Sequence, residues 1–148
     1  MRIGVLNGPN LNLLGQRQPV HYGTETLADI EDALKEKGGI RDLELLFFQS
    51  NDEGKLVDWV QMKTEKVDGW LVNAAAFTHT SVALRDALAA SDRPFVEVHL
   101  SNVYAREPFR HHSLLSDLAV GVIAGFKSSS YLFGLEALAD YIEENSTE

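Results

Sequence analysis

Short, continuously apolar segments alternate with longer amphipathic segments along this chain. A continuous apolar run is typical of a parallel strand covered on both faces, whereas a half-exposed strand alternates between apolar and polar residues. The pattern predicts five strands, at Arg2–Asn7, Leu43–Gln49, Gly69–Asn73, Phe95–His99 and Gly121–Ala124.

Four helices are predicted between and after these strands. Each is recognised by a capping residue, an apolar face or a glycine or proline near its end. The first helix is capped by Thr26, has Leu27, Ile30 and Leu34 on its apolar face, and stops at Gly38-Gly39. The second is capped by Asn51 or Asp52 and has Leu56, Val57 and Val60 on its apolar face. The third runs from about Ser81 to Ala90, and the last from about Ser129 to Glu144.

Regular alternation of strands and helices predicts a parallel sheet with right-handed crossovers. We therefore predict an α/β fold, a doubly wound three-layer sandwich whose five-stranded parallel sheet has the flavodoxin-like order 2-1-3-4-5. The length suits one domain over residues 1–148. Two connections, Gly8–Gly23 and Leu100–Leu118, are long for such a fold, and long loops in compact domains are often functional.

The composition is that of an ordinary globular protein, with 45% hydrophobic and 24% charged residues. No cysteine is present, which excludes disulfides, iron–sulfur clusters and thiol nucleophiles, and leaves only histidine and carboxylates for a zinc site. We see no export signal and no apolar run near the roughly 20 residues that cross a bilayer. A cytoplasmic protein without membrane contact is therefore expected.

The net charge is −9, from 13 lysines and arginines against 22 aspartates and glutamates. This balance argues against nucleic acid as a partner, because phosphate binding needs a basic surface. Two stretches nevertheless carry cations with few or no acidic residues, namely Gly8–Gly23 and His99–Ser113. An anionic small molecule is expected there.

Polar side chains follow three of the predicted strands. In an open α/β sheet, ligands bind outside the carboxyl ends of the strands, where the strand order reverses. A flavin site is disfavoured because Gly8 to Leu14 is apolar rather than rich in serine and threonine. A phospho-receiver is disfavoured because Asn7 and Asn73 stand where its metal-binding carboxylates would be. No dinucleotide fingerprint, phosphate-binding P-loop or nucleophile elbow is present.

Five motifs together resemble the type II 3-dehydroquinate dehydratases. They are Asn7-Gly8-Pro9-Asn10-Leu11-Asn12-Leu13-Leu14-Gly15, Arg17-Gln18-Pro19 with Tyr22-Gly23, Thr78 to Asp86, Glu97-Val98-His99-Leu100-Ser101-Asn102, and Arg106 to Ser113. They cover nearly the whole chain in order. The resemblance implies reversible anti elimination of water from 3-dehydroquinate to give 3-dehydroshikimate, through an enolate and without metal or organic cofactor.

The resemblance also implies the roles of individual residues. Tyr22 matches the base, Arg17 the cation that keeps it ionised, and Asn10 the side chain that holds a water near the enolate oxygen. His99 matches the acid, with Glu97 behind it. Substrate-binding positions are matched by Asn73, His79, Ser101 and Arg110, by backbone amides near Leu100 and Ser101, and by Asp86, which reaches a neighbouring site across a trimer interface. Family members form homododecamers of four trimers.

These roles are chemically reasonable. A tyrosine with an ordinary pKa near 10 becomes a base at neutral pH only if its phenolate is stabilised, by roughly 1.4 kcal/mol per unit of pKa. Arg17 and Arg110 are cations that could supply this. Hydroxide is a poor leaving group, so the reaction needs an acid, and histidine suits that role near pH 7.

Other interpretations stay open at this stage. Tyr22 could anchor its loop, His99 could be a buried histidine satisfied by Glu97, and His79 could cap a helix. Arg110 could belong to a solvated loop, and Arg85-Asp86 could be an exposed pair. Rival functions are a noncatalytic small-ligand or nucleotide-binding module, a serine hydrolase using Ser81 or Ser101 with His79 or His99, and a metal site at those histidines.

The sequence departs from the family's usual pattern in three places. Gln18 stands where glutamate is common, which removes a charge from the loop. Ala74-Ala75-Ala76 occupies a stretch that usually contains proline or glycine, and Phe126 to Tyr131 replaces an approach to the last helix that typically contains glycine. We expect local differences in packing there, and none at a proposed catalytic side chain.

Overall fold

Five parallel strands and five α-helices make up the regular structure of the described part of this chain. The computed structural model describes residues 1–16, 18–22 and 24–146, without the side chains of Pro19 and Tyr22. The elements are β1 (Arg2–Asn7), α1 (Pro19–Tyr22), α2 (Leu27–Ile40), β2 (Glu44–Gln49), α3 (Glu53–Lys63), β3 (Gly69–Asn73), α4 (Val82–Ser91), β4 (Phe95–His99), β5 (Gly121–Ala124) and α5 (Ser129–Asn145).

The strands form one sheet in the order β2-β1-β3-β4-β5, and every neighbouring pair is parallel. The predicted fold class and strand order are therefore confirmed. The register sets Asn7 of β1 beside Asn73 of β3, so the carboxyl ends of these strands are level. The order of strands reverses between β1 and β3, which is where such folds bind ligands.

Three predicted helix caps are confirmed. The backbone N–H of Asp29 donates to the Thr26 hydroxyl at 3.1 Å, and the Asp29 carboxylate accepts from the Thr26 N–H at 3.0 Å, which completes a capping box. Asp52 caps α3, and Ser81 caps α4 by accepting from Leu84 at 2.9 Å. Each cap satisfies a backbone donor that has no partner within its helix.

The predicted stop at Gly38-Gly39 is wrong, because α2 continues to Ile40. The chain reverses instead at Asp42, which has φ of +56°. Gly38 takes part in this reversal, because its carbonyl accepts from the Leu43 N–H at 2.8 Å. It also packs closely against β2, since a Cβ there would lie 3.3 Å from Leu45 Cδ1. The single turn α1 was not predicted either, and it is too short to show an apolar periodicity.

Two apolar layers cover the sheet. One face packs Ile3, Val5, Leu71, Val96 and Val98 against α2 and α5, and the other packs Leu6, Trp70, Val72 and Phe95 against α3 and α4. Alternate residues of each strand therefore enter opposite layers, which explains the continuous apolar runs. Within the described residues, we find no helix with the length and apolar character needed to span a membrane.

Candidate active site

A cleft of about 120 Å³ opens at the carboxyl ends of β1, β3 and β4. Its walls come from the loops that follow these three strands. The predicted site residues Asn10, Asn73, His79, His99, Leu100, Ser101 and Arg110 line it, together with Pro9, Leu11, Ala75, Ala76, Val103 and Arg106. The fold thus brings together residues that lie as much as 100 positions apart in sequence.

A buried carboxylate–imidazole pair lies at the end of β4. Residues two apart on a strand share a face, so Glu97 and His99 point the same way, and Glu97 Oε2 lies 2.6 Å from His99 Nε2. The other oxygen of Glu97 accepts from the Ser113 hydroxyl at 2.8 Å. Glu97 is 1% exposed. These two hydrogen bonds compensate for its burial and hold the imidazole ring in one orientation.

His79 is held from the opposite wall of the cleft. Its Nδ1 lies 2.8 Å from the carbonyl oxygen of His112, and a carbonyl only accepts, so Nδ1 carries the proton and Nε2 is left as an acceptor. Burial lowers the pKa of His79, and the nearby His99 and Arg110 lower it further. The His79 and His99 rings are nearly parallel, 6.5 Å apart. A neutral His79 is therefore favoured beside His99.

The loop after β1 is hydrogen-bonded to residues at the end of β2 and lies close to the loop after β3. The backbone N–H of Asn10 donates to Asn51 Oδ1 at 2.9 Å, and Gln49 Nε2 donates to the Gly8 carbonyl at 3.1 Å. Asn10 has φ of 68°, a conformation that asparagine tolerates better than most residues. At Gly8 a Cβ would lie 2.2 Å from the Ala74 carbonyl oxygen. Glycine is therefore required where the loops after β1 and β3 meet.

Asn73 ends β3 and is 3% exposed. Its Oδ1 accepts from the backbone N–H of Ala75 at 3.1 Å, and its Nδ2 donates to the Tyr131 hydroxyl at 2.9 Å. The side-chain amide is thus held from both ends, at a place where it also borders the cleft.

Two arginines bring positive charge to the cleft. Arg110 is paired with Glu107 and lies over the Phe109 ring, 5.0 Å from its centroid. This pairing lowers the pKa of Glu107. Arg106 donates to the Ser101 hydroxyl at 3.2 Å. Sequence reasoning placed Arg106 in a cation-bearing stretch but not in the site, because nothing local shows which arginine of a loop turns inward.

Two predicted site residues with described side chains, Glu97 and Asp86, are not among the residues that line the cleft. Glu97 is hydrogen-bonded to His99, which does line it. Asp86 is exposed on α4. Arg17 lies outside the described residues. For Tyr22 the structure describes the backbone at the end of α1, and the side chain lies outside what is described.

The hydroxyls of the rival serine hydrolase have other partners. Ser81 accepts from the Leu84 N–H as a helix cap, and Ser101 accepts from Arg106. The predicted pair of exposed charges at Arg85-Asp86 is also replaced, because Arg85 Nη2 donates to Asp117 Oδ2 at 2.9 Å. Among the described side chains, no three histidine, aspartate or glutamate residues converge as a metal site.

Known proteins match this chain over nearly its full length. The family model described as Dehydroquinase class II matches residues 1–139. The 3-dehydroquinate dehydratase of Azorhizobium caulinodans is 60% identical over 137 residues, which are 93% of this chain and 92% of that protein. That of Synechococcus sp. strain CC9605 is 54% identical over 146 residues, which are 99% of this chain and 100% of that protein.

The fold agrees with solved structures of type II dehydroquinases. The type II dehydroquinase from Butyrivibrio crossotus superimposes with a TM-score of 0.91 at 39% identity, covering 94% of this chain and 97% of that one. The enzyme from Propionibacterium acnes gives 0.89 at 40% identity, covering 94% and 96%. Sequence and structure lead to the same result, and the chain belongs to the class II dehydroquinase family.

Proposed function

We propose that this chain, working as a single domain, catalyses the reversible dehydration of 3-dehydroquinate to 3-dehydroshikimate by anti elimination through an enolate, without metal or organic cofactor. The observation that carries the proposal is the Glu97–His99 pair beside a cleft lined by Asn10, Asn73 and Arg110. Membership of the family supplies the substrate. The predicted cytoplasmic location stays a prediction.

His99 is the proposed acid. The Glu97 carboxylate is bonded to Nε2, so Nδ1 is the ring nitrogen left to carry the proton that is donated. Donation of that proton to the departing hydroxyl lets it leave as water. His99 also lines the cleft, as a residue that donates a proton to the substrate must.

Tyr22 is the proposed base, with Arg17 as the cation that stabilises its phenolate. Two observations support the role of Tyr22: the family motif, and the position of Tyr22 on the connection that follows β1. Pro9 to Leu11 line the cleft, and α1, which ends at Tyr22, follows on the same connection. Asn10 is the proposed holder of a water at the enolate oxygen. Fixed dipoles at a developing oxyanion are among the strongest sources of catalysis.

The local positive charge is proposed to bind the substrate carboxylate. Arg110, backbone amides near Leu100 and Ser101, and the side chains of Asn73 and His79 make up the proposed binding set. Neutral His79 offers an acceptor at Nε2 for a substrate hydroxyl.

Conversion of 3-dehydroquinate forms a conjugated enone, which absorbs in the ultraviolet. We expect the purified protein to produce this absorbance, and no absorbance under conditions where an authentic dehydratase works would overturn the proposal. Tyr22→Phe keeps the ring and removes the ionisable hydroxyl. It is expected to abolish turnover and leave substrate binding, measured by calorimetry, nearly unchanged.

The same experiment separates the rivals. Equal losses of binding and rate in Tyr22→Phe would make Tyr22 a substrate anchor rather than the base. Binding of 3-dehydroquinate by the wild-type protein without product would favour the noncatalytic binding module.

A further inference from the structure

A buried tyrosine outside the cleft connects two asparagines at the ends of neighbouring strands. Tyr131 lies in the first turn of α5 and is 0% exposed. Its hydroxyl is 2.6 Å from Asn7 Oδ1 and 2.9 Å from Asn73 Nδ2. A buried hydroxyl is costly unless it is hydrogen-bonded, and this one is bonded on both sides.

The direction of these hydrogen bonds follows from one backbone group. The Ala75 N–H can only donate, so the Asn73 atom 3.1 Å away must be the oxygen. Asn73 Nδ2 therefore faces Tyr131, and the phenol oxygen accepts from it. The phenol proton is then free for Asn7 Oδ1. Burial raises the pKa of Tyr131, so the hydroxyl keeps this proton at ordinary pH.

The fold brings the three groups together by two close approaches. The sheet register sets Asn7 beside Asn73. Gly134, one turn after Tyr131, lets α5 lie directly on the sheet, since a Cβ there would be 2.8 Å from both Leu71 and Val98. Helix α5 is thus close enough for a tyrosine to reach both amides. A phenylalanine would fill the same space and leave them unpartnered by the helix.

We propose that Tyr131 is a positioning residue for the cleft. Its hydroxyl holds the side-chain amide of Asn73 in one orientation, so that the substrate meets a fixed hydrogen-bonding group rather than one that rotates. Tyr131 itself is not among the residues that line the cleft, and it acts through Asn73. The effect on substrate rests on the proposed function, whereas the effect on the Asn73 amide does not.

The first test uses no substrate. In the ¹H–¹⁵N spectrum of the full chain, the side-chain amide pair of Asn73 is assigned by its loss in Asn73→Asp. We expect Tyr131→Phe to shift the Asn73 pair strongly, whereas Tyr141→Phe, on the same helix and outside this network, leaves it unchanged. An unshifted Asn73 pair in folded Tyr131→Phe would overturn the proposal.

The second test is kinetic. Loss of one hydrogen bond predicts a three- to tenfold fall in kcat/KM for Tyr131→Phe, mostly through a higher KM. In an Asn73→Ala background, the same substitution should change kcat/KM by less than about twofold, because the group it positions is gone. Equal effects in both backgrounds would mean a general structural role and would overturn the proposal.

Failure of the proposed function has a different signature. A wild-type protein without turnover of 3-dehydroquinate overturns that function, while the spectral test still decides the role of Tyr131. If Tyr131→Phe does not fold, hydrogen exchange in the wild-type protein decides the role of Tyr131. The Asn73 side-chain amide proton that is bonded to the buried hydroxyl should exchange slowly with solvent, and rapid exchange of both amide protons would overturn the proposal.

Discussion

At the scale of single residues, backbone conformation explains where this chain differs from its family's pattern. Ala75 has φ of +51° and Lys127 has φ of +53°. Each lies in a stretch where the family usually has glycine, or proline in the case of Ala75. The left-handed region costs an L-residue roughly 1–2 kcal/mol, and glycine roughly nothing. Both departures therefore carry local strain, and neither changes the identity of a proposed catalytic side chain.

Lys127→Gly is expected to stabilise the protein. The residue is exposed, and its N–H, which donates to the Leu100 carbonyl at 2.9 Å, is kept. Relief of about 1–2 kcal/mol of strain is partly offset by about 0.5–1 kcal/mol for the greater freedom of glycine in the unfolded chain. The unfolding free energy should rise by about 0.5–1 kcal/mol in urea titrations. Lys127→Ala keeps the Cβ and should bring no gain, so an equal gain there would show that the side chain, not the backbone, is responsible.

Local sequence motifs identify only some of the site residues. His99 stands at a predicted strand end and Asn10 follows Gly8-Pro9, and the structure places both at the cleft. Arg110 was predicted from the family motif, whereas only the folded loop shows that Arg106 also borders the cleft. The link from Tyr131 to Asn7 spans 124 positions and has no local signal.

At the scale of elements, hydrophobic periodicity predicted most boundaries well. The bounds of β1, β3, β4 and β5 agree with the prediction. The first three are largely buried apolar runs that end at a polar residue, and β5 is a partly exposed apolar run that ends at a loop. Caps were predictable since a serine, threonine or aspartate hydrogen-bonds its own neighbours. The end of α2 was not, because the left-handed residue that follows the helix is Asp42 rather than a glycine.

Thr26→Ala tests the capping box at the start of α2. Removing the hydroxyl leaves the Asp29 N–H without its acceptor, and loss of such a cap typically costs about 1 kcal/mol. We expect the unfolding free energy to fall by that amount in urea titrations. Thr24→Ala, also exposed but outside the box, is the matched control and should change it little. Equal losses in both variants would contradict a capping role.

At the scale of the whole molecule, the charge distribution agrees with a local anion site on an acidic protein. Arg106 and Arg110 border the cleft, while the net charge of −9 is spread over the rest of the chain. Large apolar side chains are exposed, including Tyr104, Phe109, Phe126 and Phe133. Phe126 and Phe133 lie together, 6.0 Å between ring centroids, and a contiguous apolar patch of this kind marks a surface for association, as the homododecamer implied by the family resemblance requires.

The proposed assembly makes a prediction about size. Twelve chains of 16.4 kDa give about 197 kDa, and light scattering coupled to gel filtration should report that mass. The role at a neighbouring site that the family resemblance implies for Asp86 depends on it, because Asp86 is exposed on α4 and is not among the described residues that line the candidate cleft. A mass of 16.4 kDa in a fully active preparation would contradict both the dodecamer and that role.

The sequence by itself determined the five strands, the four longer helices and the chemistry available at the strand ends, because periodicity, caps and strand-end motifs are local. The alternation of these elements along the chain then indicated the strand order. Only the tertiary structure decided which side chains meet: His99 with Glu97 and Ser113, His79 with the His112 carbonyl, and Tyr131 with Asn7 and Asn73. The physical reason is that hydrogen bonds between distant residues depend on sheet register and helix packing, and these are set by the whole core rather than by any one segment.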